Sequence, residues 1–536
     1  DAIPIRRIFA DGIFQVGNRY SKTWSFTDIN YAIASKEDKT SMFLDYSELL
    51  NALDSGASAK ITIYNRRINK AAFERSVLLP DKDDGLDEYR HEFNQMLTAQ
   101  VTGTSNSIVR ERYLTVSVVK RNPDEARSYF ARVGTDLVTH LAQLSSVANE
   151  LTLTERLHIF RDFFKAGEQA AAEFNIHEHA KRGQHFKDWF CPDSMEFTAD
   201  HFKVDARYGR VLYLQDYASY IKDSFVSELC DLDRDLMLSI DILPVPTDEA
   251  ARQLQSTLLG VETNVANWQR RQNANNNFTA TIPYDMELQR KETKEMLDDL
   301  TTRDQRMMFG LVTLVHLADN KEQLDSDTET LYSTARKHLC QLSTLRWQQK
   351  DGLDTVLPYG LRKIQALRTL TTESSAVLIP FRAQEIMQPN GLYYGQNAVS
   401  KNMIVADRRL LLNGNSFRLG VSGSGKSMSA KEEIVQIALS TEDDILILDP
   451  ESEFGYLTEA LGGEVIRISA TSDTHINALD MDRAYGDERN PIVSKSEFVL
   501  SLFEQLIGDG MVTAKEKSIL GRCTEQVYLP YIRNGY

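Results

Sequence analysis

The sequence predicts an α+β region followed by an α/β domain that is built around a phosphate-binding loop. Two observations predict this arrangement. In the first half of the chain, apolar strand-like runs are each followed by a capped amphipathic helix. In the second half, the residues from Gly420 to Ser427 read GVSGSGKS, and the continuous apolar run Ile445–Leu448 follows shortly after them.

Length and composition set the class of protein. The chain has 536 residues, which is enough for roughly two to four domains. A hydrophobic content of 42% and a charged content of 26% are typical of a soluble globular protein. The formal net charge of −16 excludes a surface that is basic overall and would attract nucleic acid. It does not exclude a local basic channel.

Hydropathy argues against a membrane-spanning helix, and cysteine usage argues against a disulfide-bonded or zinc-binding protein. The longest apolar run, Met307–Ala318, is too short to cross a bilayer. The cysteines are scattered and have no metal-like spacing, which predicts a reducing compartment. They are Cys191, Cys230, Cys340 and Cys523.

Strand-then-helix units recur along the first half. The predicted strands are Tyr113–Val119, Leu236–Leu243 and Met308–Leu317. The three helices that follow are predicted to begin at Asn122-Pro123, at Pro246-Thr247, and at Asp319 or Asn320. The second helix is predicted to end at about Gln272, and the third is predicted to extend through Leu339. The design predicts a ferredoxin-like α+β domain, and its recurrence raises the hypothesis that the domain is duplicated.

The remaining parts of this region are less explicit. The first of these helices carries an apolar stripe, which is Phe130, Val133, Leu137, Leu141 and Leu144. Residues 150 to 230 read as a polar insertion, residues 273 to 277 as a polar loop, and residues 286 to 300 as an acidic helix. The turn at residues 388 to 391 predicts a domain boundary, so that one domain spans 1–390 and a nucleotide domain spans 391–536.

The segment from Gly420 to Ser427 matches the pattern G-x-x-x-x-G-K-[ST] at every fixed position. Glycines let the backbone N–H groups point at a phosphate, the amine of Lys426 neutralises charge on the β and γ oxygens, and the hydroxyl of Ser427 ligates Mg²⁺. The motif therefore predicts ATP and Mg²⁺ as ligands. The expected nucleotide contacts are Gly420, Ser422, Gly423, Ser424, Gly425, Lys426, Ser427 and Met428.

The sequence around the loop predicts a strand–loop–helix–strand crossover. Ser416–Leu419 reads as a short strand, with Arg418 as an unusual charge in it, and Met428–Ser440 reads as a helix. One face of that helix carries Ile434, Ile437 and Ala438.

Carboxylates follow the second predicted strand of this crossover. The sequence DPESEF from Asp449 to Phe454 would lie at the carboxyl end of a parallel strand, where α/β sheets bind their ligands. Glu451 and Glu453 are candidates to orient the attacking water or the metal, and Asp449 is a candidate to hold Mg²⁺ through water. The alternative is a solvated acidic turn in which Asp449 caps the next helix.

Other conspicuous residues favour structural interpretations. His177, His179, His185 and Cys191 match no compact zinc pattern, so a polar surface loop is preferred. Stripes of Tyr and Phe are interpreted as core rather than as stacking platforms for nucleic acid. Solvent exposure is expected for Lys431 and for the pairs Arg408-Arg409 and Arg270-Arg271.

Five sequence features occur together in an order that resembles the large conjugation ATPases of type IV secretion systems. They are residues 393 to 397, the loop from Gly420 to Ser427, residues 449 to 454, the pair Gly462-Gly463 and the segment Ile476–Asp480. These are the VirB-type (TraC/TrbE-like) proteins, and the resemblance is closest to the branch carried by integrative conjugative elements of Gram-positive bacteria. The ordered combination is also typical of the HerA/FtsK-like motor superfamily.

The resemblance implies a RecA-like ATPase domain and homo-oligomers, up to hexamers. It implies a cytoplasmic protein that is peripheral at the inner face of the membrane, where other channel subunits are its partners. DNA or DNA-linked protein would be the transferred substrate. It further implies a later strand ending in Asp-Glu, the Walker B element, and no such strand is predicted between Pro450 and Tyr536. The nucleotide domain is therefore expected to be truncated here, with low activity for this chain alone.

Three functions stay open at this point. The first is an ATP-hydrolysing motor that energises channel assembly and substrate transfer. The second is a docking or scaffold subunit of the channel whose assembly nucleotide regulates. The third is a HerA/FtsK-like pump that acts on duplex DNA, which the acidic net charge disfavours.

Overall fold

The chain folds into two compact units, Asp1–Ile445 and Leu446–Tyr536. The boundary predicted at residue 390 falls inside the first of them. The computed structural model describes residues 3–67, 77–103, 108–165, 181, 183, 185–218, 220–275, 277, 281–303, 305–388, 390–469, 471–481, 491–508 and 510–534.

The first part of the first unit forms an antiparallel half-sheet, β3 to β6, with two helices across it. Its elements are β1 (Arg7–Ile8), β2 (Phe14–Val16), β3 (Arg19–Phe26), α1 (Lys36–Asn51), β4 (Ala57–Arg67), α2 (Asp87–Gly103), β5 (Ile108–Val119), α3 (Pro123–Gln143) and β6 (Ala148–Glu150). The strand order in this N-terminal half-sheet is β6-β3-β5-β4, and all neighbours are antiparallel. Helix α2 is inserted between β4 and β5.

A second half-sheet, β9 to β12, follows in the same unit. The elements from α4 onward are α4 (Leu153–Phe164), α5 (Phe186–Phe190), β7 (Met195–Phe197), β8 (Phe202–Val204), β9 (Arg207–Asp216), α6 (Phe225–Leu229), β10 (Leu236–Pro244), α7 (Thr247–Ala274), α8 (Tyr284–Thr302), β11 (Met307–Ala318), α9 (Lys321–Lys337) and β12 (Gln341–Thr344). The strand order in this C-terminal half-sheet is β12-β9-β11-β10, again with antiparallel neighbours.

The two half-sheets join into one sheet because β4 and β10 pair with each other in antiparallel fashion. Numbered along the chain, the strands of each half follow the order 4-1-3-2. The helical insertions occupy equivalent places, since α2 lies between the second and third strands of one half and α7 with α8 between those of the other. The strand order therefore repeats along the chain.

Six further helices and strands belong to the first unit, and three helices belong to the second. In the first unit these are α10 (Gln349–Val356), β13 (Arg368–Thr371), α11 (Thr372–Ala376), the hairpin strands β14 (Leu392–Gln396) and β15 (Met403–Ala406), followed by α12 (Lys426–Ser440). In the second unit they are α13 (Gly455–Ala460), α14 (Pro491–Ile507) and α15 (Ala514–Arg533). Strand β13 pairs with β11, while β14 and β15 form a separate two-stranded sheet.

Both faces of the large sheet are covered. Side chains alternate between the faces, so that Leu236 and Leu238 pack with α1, α3 and α9 while Met237 packs on the opposite side with α4 and α10. The prediction of a polar insertion over residues 150 to 230 is wrong for α4. Eight of its positions are buried, because its aromatic residues cover the second face.

Several sequence predictions are confirmed in this unit. The predicted strands lie within β5, β10 and β11, and the acidic helix lies within α8. Asn122 caps α3 by accepting a hydrogen bond from the backbone N–H of Glu125, and Asn320 caps α9 in the same way. The predicted apolar stripe of α3 is buried. Among the described residues, no helix has both the length and the apolarity needed to cross a membrane.

A buried ion pair lies where the half-sheets meet. Lys60 of β4 stands directly opposite Asp241 of β10, and its Nζ lies 2.7 Å from Asp241 Oδ2. Both side chains are almost fully buried. The same Nζ donates to the carbonyl oxygen of Thr355 near the end of α10, so the pair ties the two strands to the segment that covers them.

We predict that Lys60→Met destabilises the protein by about 3–5 kcal/mol, because it leaves Asp241 buried without a partner. The double variant Lys60→Met with Asp241→Leu should recover most of this loss. Urea unfolding of the three proteins measures the effect. Equal losses in the single and double variants would show that the strands lose packing rather than charge compensation.

His316 of β11 is a second buried titratable group. Its Nε2 lies 3.0 Å from Thr328 Oγ1, and its Nδ1 has no hydrogen-bond partner among the residues that the structure describes. Burial, and then the charge of Arg210, lower the pKa of His316 to about 3. The unfolded chain, with an ordinary histidine pKa of 6.5, therefore binds more protons between these two pH values.

We predict that the contribution of His316 to the free energy of unfolding is most favourable to the folded state above pH 6.5. As the pH falls from there toward about 3, stability should decrease by about 1.4 kcal/mol per pH unit. Urea unfolding at several values between pH 7.5 and pH 5 measures the slope. His316→Gln should flatten it, and parallel curves for the two proteins would contradict the assignment.

Candidate nucleotide-binding site

The predicted phosphate loop is a tight turn that leads into α12. Gly423 and Gly425 have φ angles of +78° and +88°, a left-handed backbone that favours glycine. Gly425 is the N-cap of α12, which begins at Lys426. The first backbone N–H groups of a helix have no intrahelical acceptors and carry partial positive charge, so this end of α12 is suited to an anion.

Lys426 folds back over the loop that precedes it. Its Nζ donates to the carbonyl oxygen of Gly420 at 2.7 Å and lies 3.5 Å from that of Val421. Residues 420 to 428, which include Ser422, Ser424, Ser427 and Met428, are exposed. The structure thus brings all predicted nucleotide contacts together on one open surface, with an amine and hydroxyl groups at the start of the helix.

Helix α12 is held by a buried carboxylate that sequence reasoning missed. Glu433 is only 5% exposed. It forms ion pairs with Arg408 and Arg418 and accepts a hydrogen bond from the hydroxyl of Tyr394 at 2.9 Å. These contacts explain the charge of Arg418 in a predicted apolar strand, and Arg408, which was expected to be solvated, is half-buried in its ion pair.

The buried face of α12 is polar at a second position. The side-chain amide of Gln436 bonds both backbone groups of Tyr393 in β14, accepting from its N–H at 2.7 Å and donating to its carbonyl at 2.8 Å. The face predicted to pack is only half-buried; it comprises Ile434, Ile437 and Ala438. Apolar periodicity missed the docking face because the neighbour offers backbone polar groups.

The two strands predicted on either side of α12 are absent from the structure. Ser416–Leu419 and Ile445–Leu448 have no β pairing with any described strand. An extended segment needs a neighbour to satisfy its backbone groups, and without one it is not a strand. Phe417 and Leu419 are accordingly 91% and 93% exposed, so the predicted crossover is not formed among the described residues.

The acidic residues lie in a turn of the second compact unit. Asp449 Oδ2 accepts a hydrogen bond from the backbone N–H of Phe454 at 2.8 Å. This N–H, followed by those of residues 451 to 453, lowers the pKa of Asp449. Asp449 thus closes the turn that precedes α13, while Glu451 and Glu453 are exposed. Their roles toward water or metal stay predictions.

The segment Ile476–Asp480 is fixed by side chains from α14 and α15. Lys495, which is buried, donates from Nζ to the carbonyl oxygens of Ala478 at 2.9 Å and Asp480 at 2.6 Å. Tyr528 donates from its hydroxyl to the carbonyl oxygen of Leu479. No local signal identified Lys495 or Tyr528, because their partners are backbone atoms distant in sequence.

His185 and Cys191 of the candidate metal cluster have structural roles at the two ends of α5. His177 and His179 lie outside the described residues. His185 caps α5 by accepting from the backbone N–H of Lys187 at 3.2 Å, and Cys191 ends that helix. Burial raises the pKa of the Cys191 thiol to about 11. Within the described ranges, no cluster of three or more His, Cys, Asp or Glu residues is suited to a metal.

Comparison with known proteins assigns no function. No protein-family model and no curated protein matches the chain. The geometry of the loop and the order of the sequence motifs are therefore the observations that bear on function.

We predict that Gly425→Ala weakens binding of Mg-ATP by about 5- to 30-fold, because an L-residue in the left-handed region costs about 1–2 kcal/mol. Gly414→Ala is the matched control, since Gly414 is exposed, has an ordinary φ and would meet no atom with an added Cβ. Titration with a fluorescent ATP analogue measures both constants. Equal affinities would show that binding does not require this backbone conformation.

Proposed function

We propose that the chain is the ATP-hydrolysing motor of a conjugative type IV secretion system, which energises channel assembly and the transfer of DNA or DNA-linked protein. One observation carries the ATPase part of the proposal. Gly423 and Gly425 have left-handed backbones directly before a helix of fifteen residues whose first residue is Lys426. The ordered resemblance to conjugation ATPases supports the assignment to secretion.

The proposed reaction transfers the γ-phosphoryl group of ATP to water. The oxygen of water bonds to the γ-phosphorus, the bond to the β–γ bridging oxygen breaks, and ADP and phosphate leave. Lys426 would release its own loop carbonyls and neutralise charge on the β and γ oxygens. Glu451 or Glu453 would orient the water.

Oxygen donors in the chain fit Mg²⁺, which prefers hydroxyl, carboxylate and water ligands. Ser427 would hold the ion directly from the first turn of α12, and Asp449 would hold it through water. When bound, Mg²⁺ supplies neutralisation of the phosphate charge. The backbone from Gly420 to Gly425 would cradle the β-phosphate, as the exposure of this loop allows.

We further propose the wider arrangement implied by the resemblance. Residues 391–536 would belong to a RecA-like domain, and residues 1–390 would dock onto other channel subunits at the inner face of the membrane. The repeated strand order 4-1-3-2 supports two copies of a ferredoxin-like unit within residues 1–390. Homo-oligomers, up to hexamers, would form the working motor.

A second function is favoured by a specific observation. The large sheet, together with the helices between its strands, spans residues 7 to 376 and so most of the described chain, and none of the described strands of that sheet contributes a residue to the loop. A docking or scaffold subunit, in which nucleotide regulates assembly only, would use this sheet without needing turnover.

We predict that Lys426→Ala lowers ATP turnover by about 10²-fold or more, because it removes the cation that faces the developing charge. Lys294→Ala, at an exposed position of α8, is the matched control. Phosphate release measures turnover, and calorimetry measures binding of Mg-ATP. Unchanged turnover in Lys426→Ala would sink the motor assignment. Intact channel assembly by this variant, with transfer that needs no turnover, would favour the scaffold.

A further inference from the structure

The C-terminal end of α12, opposite the phosphate loop, is capped by cations from a distant part of the chain. Arg90 of α2 is fully buried, and its Nε donates to the carbonyl oxygen of Leu439 at 3.0 Å. Lys82, in the segment before α2, lies with Nζ 3.2 Å from the carbonyl oxygen of Ser440 and 3.3 Å from that of Thr441. Three carbonyls at the end of the helix thus face these two side chains.

Two carboxylates fix the guanidinium of Arg90 in place. Its Nη1 lies 2.6 Å from Asp84 Oδ1 and 2.5 Å from Asp87 Oδ1, and its Nη2 lies 2.5 Å from Asp84 Oδ2. Hydrogen bonds to Asp84 and then to Asp87 raise the pKa of Arg90, so the guanidinium stays protonated. Asp87 also accepts the backbone N–H groups of Lys82 and Asp83, each at 3.0 Å, which closes the segment around the cation.

The position of these cations has a clear physical effect. The last turn of a helix leaves carbonyl oxygens without intrahelical donors and carries partial negative charge. Arg90 and Lys82 supply α12 with hydrogen-bond donors for these carbonyl oxygens and with positive charge beside its negative end. A helix of fifteen residues spans roughly 22 Å, so the cap and the phosphate loop lie at the two ends of one rigid element.

Helix α2 also packs on the hairpin that holds the middle of α12. Leu97 of α2 packs with Tyr393, Met403 and Val405 of the hairpin, and Gln396 Nε2 lies 3.0 Å from Gln100 Oε1. Tyr393 is the residue that Gln436 of α12 grips through its backbone. Helix α2, the hairpin and α12 therefore form one packed body, and α2 is an insertion in the large sheet.

We infer that Arg90 is a positioning residue for the nucleotide site, which couples the packing of α2 at one end of α12 to phosphate binding at the other end. The inference depends on the proposed nucleotide function. Because coupling between two sites is reciprocal, nucleotide at the loop should tighten α2, and loss of the Arg90 cap should weaken nucleotide binding. The packing of α2, which is inserted between β4 and β5, would thereby respond to the nucleotide state.

The test is hydrogen exchange of the full chain with and without Mg-ATP, read by mass spectrometry. In the wild type, Mg-ATP should slow exchange in peptides that cover α2 and the end of α12, and Lys426→Ala should abolish this change. Arg90→Ala should raise exchange at residues 436–441 without nucleotide and weaken Mg-ATP binding by about 5- to 150-fold. Arg132→Ala, which removes an exposed arginine paired with Asp54, is the control and should change neither.

The outcomes separate this inference from the proposed function. Mg-ATP binding by the wild type with no change in α2, or equal binding by Arg90→Ala, overturns the coupling and leaves the ATPase proposal standing. A wild type that binds no Mg-ATP overturns both. If Arg90→Ala loses its circular dichroism signal, Lys82→Ala decides, because it removes a half-buried cap and leaves the cluster of Arg90 intact. It should weaken binding in the same direction.

Discussion

The antiparallel pairing of β4 with β10 is the constraint on which the rest of the first compact unit depends. Without it the chain would present two separate half-sheets, each with a long open edge. The pairing buries Lys60 opposite Asp241, and Thr62 faces Ser239 across the same ladder at 2.9 Å. A slip of one residue would turn these polar groups toward the apolar face, at a cost of several kcal/mol. The buried pair therefore fixes the register in which the halves meet.

Helix α12, which follows the phosphate loop, is held by α2 and by the hairpin of β14 and β15. The chain between β4 and β5 contains α2, and Arg90 of this helix donates a hydrogen bond at the C-terminal end of α12. The hairpin, packed against α2, grips α12 at Glu433 and Gln436. These contacts explain why residues 391 to 445 belong to the first compact unit, although their sequence motifs mark them as the start of another domain.

Sequence alone predicted the elements whose signals are local. Asn122 and Asn320 begin helices because a side-chain oxygen accepts a hydrogen bond from a backbone N–H three residues later, and apolar runs mark β10 and β11. The contacts of Glu433 and Arg90 could not be predicted, since their partners are set by tertiary packing. The predictions of strands at Ser416–Leu419 and Ile445–Leu448 were wrong for a related reason. An apolar run becomes a strand only when another strand satisfies its backbone.

The candidate site shows the same division between local and long-range determinants. Two left-handed glycines and a helix N-terminus shape the phosphate loop, and both are encoded within residues 420 to 428. The loop consequently has its turn even where no strand pairs with the segment before it. Hydrolysis requires more than this turn, because a carboxylate must reach the attacking water and a cation must stabilise the leaving charge. Phosphate binding would thus depend on the local sequence and on the cap at the far end of α12, whereas turnover would depend on groups that assembly brings to the loop. Nucleotide binding and hydrolysis would then be separable properties of this chain, and α12 is the element through which α2 and the hairpin would influence binding.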